Sequence, residues 1–80
     1  MRIFGWAKNH PDGLCDGALV AVACERATEA ARLARKAGWN GVKPDDAMEL
    51  VPDDDDDLAE LLARPGVVRW RGEGEDYWRD

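Results

Sequence analysis

The residues most able to do chemistry are carboxylates. Asp53, Asp54, Asp55, Asp56 and Asp57 run without interruption, and Asp45, Asp46, Glu49 and Glu60 lie close by. Between residues 45 and 63 there are nine acidic residues and no Lys or Arg, so this segment holds −9. Residues 18–44 hold +3 and the two ends sum to zero, which returns the net charge of −6. A run of this kind can cap a helix, bind a divalent cation or face a basic partner. The calcium pattern fails at its geometry-setting positions. With Asp53 as the first ligand, Leu58 stands where the sharp turn requires Gly, and Arg64 stands where the bidentate Glu is required. A helix cap uses only one or two carboxylates, and five adjacent ones repel each other. The run is then either a capping turn with a solvated acidic helix start or a face for a basic partner, which the −9 charge attracts. Direct nucleic-acid binding is disfavoured, because the segment repels phosphates.

Other chemistry lacks its parts. The chain has no Ser, one Thr, one Tyr and one His, which excludes Ser nucleophiles and leaves most acid–base schemes incomplete. Cys15, Cys24 and His10 supply three zinc ligands at most, at spacings that do not form pairs. Cys24 reads as a small buried hydrophobe and Cys15 as an exposed loop thiol. No phosphate-binding glycine pattern is present. The reading is therefore non-enzymatic, with no cofactor and no metal. Trp and Arg are enriched at interface hot spots, so Arg69, Arg71, Tyr77 and Trp78 form a second candidate contact patch.

The elements that must position these groups follow from periodicity. Arg2–Lys8 alternates, with Phe4 and Trp6 on one face and Ile3 and Ala7 on the other. Ala18–Cys24 is apolar on both faces, as in a central, well-covered strand. Arg26–Ala37 is helical. Ala27, Ala30, Ala31, Ala34 and Ala37, with Leu33, make one apolar arc, and Gly38 stops the helix. Ala47–Val51 is a short strand. A second helix covers roughly Asp54–Ala63, with the Asp run in its first turns, where the helix dipole favours anions. Val67–Arg71 is the last strand, with Val68 and Trp70 facing the core. The eighty residues make one domain, with 72–80 a polar tail that can dock through Tyr77 and Trp78. The order ββαβαβ predicts an α+β fold: a four-stranded, mostly antiparallel sheet with both helices on one face. No apolar run reaches signal-peptide or membrane-spanning length, so a cytoplasmic protein without membrane contact is expected.

A short, strongly acidic single domain without catalytic residues resembles the small phage-encoded inhibitors, of which the anti-CRISPR proteins are the best-known group. The resemblance rests on size and on Asp45, Asp46, Asp53–Asp57 and Glu60. It implies an inhibitor that places carboxylates in a basic channel where nucleic acid would lie, on a nucleic-acid-binding complex. The competing reading is an accessory or assembly domain that forms a homodimer through its sheet or its Trp-bearing tail.

Overall fold

The computed structural model describes residues 1–14, 16–53, 55–75 and 77–80. The elements are β1 (Arg2–Lys8), β2 (Ala18–Cys24), α1 (Ala27–Lys36), a 3-10 turn (Pro44–Asp46), β3 (Met48–Leu50), α2 (Asp56–Ala63) and β4 (Val68–Arg71). The sheet order is β3-β1-β2-β4, and every neighbouring pair is antiparallel. The α+β class and the four-stranded sheet agree with the periodicity, and β1 and β2 have the bounds it gives.

Alternation sorts the side chains onto two faces. Phe4 pairs with Val22, which pairs with Val68, and Trp6 pairs with Val20, which pairs with Trp70. These residues lie under α1 with Ala30, Ala31 and Ala34, all three fully buried. The opposite face carries Ile3, Ala21 and Ala23, and it is covered by Leu58 and Leu61 of α2. The two helices thus lie on opposite faces of the sheet, where the sequence reading places both on one. The physical reason is in β2: with apolar side chains on both sides, it leaves an unburied face if only one is covered. The α1 helix takes the first face, and α2 crosses the second on its way from one sheet edge to the other.

Alanines let α1 lie close to the sheet, and the helix ends in a Schellman arrangement. The Trp39 N–H reaches the Ala34 carbonyl at 3.0 Å and the Gly38 N–H reaches that of Arg35 at 2.9 Å. Gly38 has φ +108°, which its missing side chain permits. Ala37, placed on the apolar arc by sequence, is the exposed C-cap. The turn that follows returns Trp39 and Val42 to the core, and the Trp6 indole donates to the Lys43 carbonyl at 2.7 Å. Gly5 allows β3 to pack against β1, since a methyl group there would lie 2.6 Å from Leu50 Cδ1.

The tail docks. Trp70 and Arg79 exchange two backbone hydrogen bonds, at 2.8 and 2.7 Å, along the outer edge of β4. Trp78 enters the second core cluster and is 5% exposed. The Arg79 guanidinium lies over both Trp70 and Tyr77, at 4.8 and 4.5 Å from their ring centroids. No helix among the described residues is long and apolar enough to cross a membrane.

Close packing of α1 on β2 has a measurable consequence. Ala34→Leu adds volume where the helix meets the sheet and is expected to lower stability by about 1–3 kcal/mol. Urea unfolding measures this, and an unchanged midpoint would contradict the placement of Ala34.

Candidate functional site

The acidic segment is split by the fold. Asp45 and Asp46 are exposed in the 3-10 turn, beside α1 and ahead of β3. The Asp run follows β3, after Pro52 ends the strand. Asp53 and Asp56 are exposed and Asp57 is half-buried. Asp54 lies outside the described residues, as does Cys15, for which the sequence reading expects exposure. The structure therefore does not bring Asp45 and Asp46 to the Asp run: the two groups sit at opposite ends of β3. Asp53, Asp55, Asp56 and Asp57 do come together. They line an open depression of about 690 Å³ with Val51, Leu58 and Arg71.

Asp55 differs from its neighbours. It is the N-cap of α2, and its Oδ1 accepts from the Leu58 N–H at 3.0 Å. Its Oδ2 accepts from the Trp78 indole N–H at 3.2 Å. Burial raises its pKa, but the Leu58 N–H, the Trp78 indole and the positive charge of Arg71 together outweigh that effect. The carboxyl is held below the ordinary aspartate value. Asp55 thus belongs to the fold, joining the start of α2 to the tail.

Glu60 is also engaged. It forms an ion pair at 3.7 Å with Arg69, which is held at 3.0 Å from Asp80 as well. Antiparallel pairing puts Arg69 opposite Ala21 and Arg71 opposite Leu19, which places both arginines on the α2 face of the sheet. The bases that answer the acidic segment come from outside it: Arg69 of β4 pairs with Glu60, and Arg2 of β1 pairs with Glu49 at 3.1 Å. Arg71 donates to the Glu75 carbonyl at 3.2 Å and lies 5.5 Å from the Trp78 ring centroid.

The second candidate patch is divided by the fold, and two of its members, Arg69 and Trp78, are not available as a surface. The Arg69 side chain is 14% exposed, Trp78 is core, Arg71 is half-buried and lines the acidic depression, and Tyr77 is exposed. Their interface-like composition reflects an interface within the chain, between the tail and α2. Sequence reasoning also misses the cluster of His10, Trp39 and Trp70. The His10 ring lies 5.3 Å from Trp39 and 4.3 Å from Trp70, and its Nδ1 accepts from the Asp12 N–H at 3.0 Å. No local pattern announces this contact, since the three residues come from a loop, a connector and a strand. Cys24 is buried, and burial pushes its thiol pKa up. Among the described residues, no group of three or more His, Cys, Asp or Glu could hold a metal ion.

The distinction between Asp55 and its neighbours predicts unequal effects. Asp55→Ala should lower stability by about 0.5–2 kcal/mol through loss of the cap. Asp53→Ala and Asp56→Ala should each change it by less than about 0.5 kcal/mol. The sign with pH follows from the depressed carboxyl pKa. Its stabilisation is complete above the ordinary value of 3.8 and is lost as pH falls through the lower folded value. Urea midpoints across that range should drop more in the wild type than in Asp55→Ala. Equal slopes, or equal losses for the three variants, would contradict the assignment.

Comparison of the chain with known proteins finds no matching family model, no matching curated sequence and no matching solved structure.

Proposed function

We propose that this chain is a non-enzymatic binding protein that presents Asp53, Asp56 and Asp57 to a basic protein surface. The partner is of the kind that otherwise holds nucleic acid, and occupancy of its channel by carboxylates inhibits it. One observation carries the reading. The fold uses Asp55 as a cap and Glu60 in an ion pair, yet among the described residues no cation pairs with Asp53, Asp56 or Asp57. Asp56 and Asp57 gain from their place in the first turn of α2, but none of the three carboxylates has an ion-pair partner among the described residues, which supports a basic surface outside the chain as their counter-charge. Arg71, the base nearest the depression, is occupied by Glu75 and Trp78. The position of the carboxylates around one open depression supports contact with a protruding basic surface. This function agrees with the resemblance to anti-CRISPR-like inhibitors.

Displacement of a fluorescent DNA duplex from a panel of basic nucleic-acid-binding proteins tests the proposal. The wild type should displace the duplex from at least one of them at low salt, and added salt should weaken this steeply. Truncating a well-desolvated charge pair costs about 2–5 kcal/mol of binding. The Asp53→Asn, Asp56→Asn, Asp57→Asn triple variant should therefore lose displacement by at least about tenfold and keep its melting temperature. Full displacement by the triple variant, or none by the wild type at any salt, would overturn the reading.

A further inference from the structure

Several exposed apolar side chains gather at one edge of the sheet, while Leu14 and Tyr77 lie outside this group. Met1 (60% exposed), Val51 (67%) and Leu62 (40%) line one groove with Ile3, Leu50 and Pro52, about 180 Å³ in volume. Met48 (44%) lies two residues before Leu50, on the same face of β3. Exposed apolar side chains grouped beside a strand edge offer a surface that a partner can cover. The groove flanks β3, which pairs with β1 on one side and, among the described residues, with no strand on the other. The opposite sheet edge differs, because the tail bridges to β4 there. Val51 also lines the acidic depression, so the apolar groove and the carboxylates Asp53, Asp56 and Asp57 form one continuous surface.

We infer that this edge takes an extended, basic segment of the partner protein as an added strand, with apolar side chains seated against Val51 and Leu62. The inference rests on the function proposed above and names the chemistry of what that surface receives. Strand addition supplies backbone hydrogen bonds, and alternation supplies the specificity. Met48 and Leu50 face the α2 side, while Glu49 faces the other, where Asp45 and Asp46 also lie beside α1. A strand alternating apolar and basic residues meets Met48 and Leu50 with one set of side chains and Asp45 and Asp46 with the other. Arg2, the one base at the groove, is paired with Glu49 at 3.1 Å. A second copy of the chain fits poorly. Two-fold antiparallel pairing would bring the Glu49 residues together and set each Asp46 end against an Asp53 end.

The test uses the full chain and a short acetylated peptide alternating lysine with leucine, followed by amide NMR at low salt. The backbone amides of 48–51 should shift and gain protection from hydrogen exchange. Leu62→Asp and Val51→Asp alter exposed side chains and should each weaken the peptide by about tenfold or more. A peptide alternating glutamate with leucine should not bind. Shifts confined to 53–58 and indifferent to Leu62→Asp would overturn the groove while leaving the carboxylate function standing. Duplex displacement without any peptide binding would do the same. Protection of 48–51 without peptide, together with a dimer in sedimentation, would overturn it in favour of a second copy.

Discussion

The structure depends on one constraint, the two-sided burial of β2. Val20, Ala21, Val22 and Ala23 are all fully buried, alternately against α1 and against the α2 layer. A strand of this kind has no face to give to water, so the sheet must be covered twice. The ten-residue α1 covers the first face with three alanines, aided by Trp39 and Val42. The eight-residue α2 offers Leu58 and Leu61 as its buried residues and leaves part of the second face to be filled. Trp78 fills it. The tail therefore belongs to the core, and its indole N–H, which needs a partner when buried, finds Asp55.

From that contact follows the division of labour in the acidic run. One carboxylate joins the second layer together: it caps α2, accepts from Trp78 and lies in the field of Arg71. Glu60 is matched by Arg69. Asp53, Asp56 and Asp57 have no such role among the described residues, and they surround the same depression. The sheet also divides the acidic segment, with Asp45, Asp46 and Glu49 on the α1 side and Asp53, Asp56 and Asp57 around the depression on the α2 side. The α2 side presents these carboxylates with the apolar edge of β3 beside them.

The strands and helices were legible because their signals are local. Alternation in Arg2–Lys8, the seven apolar residues of β2 and the alanine arc of α1 each specify an element without reference to the rest. The start of α2 was read within two residues, since any of several aspartates can serve as cap and only the geometry of Leu58 and Trp78 selects Asp55. Helix placement was misread although its signal was present, as β2 announces two covered faces and two helices were at hand. That the tail can dock is legible in Tyr77 and Trp78, but not that Trp78 alone enters the core. Trp78 and Arg69 have interface composition, and sequence does not distinguish an interface with a partner from one made by the chain with itself. The ion pairs of β4 with Glu60 and Asp80 are likewise set by sheet register and the path of the tail.

The dependence of the second core layer on the tail is tested most directly by urea unfolding of Trp78→Ala beside Tyr77→Ala. Trp78 is buried between α2 and the sheet, and Tyr77 next to it is exposed. Trp78→Ala should lower stability by about 3–5 kcal/mol, the loss expected of a large core side chain. Tyr77→Ala should cost far less. Equal, small losses for the two variants would contradict the account, since they would mean that α2 and the sheet hold together without the tail.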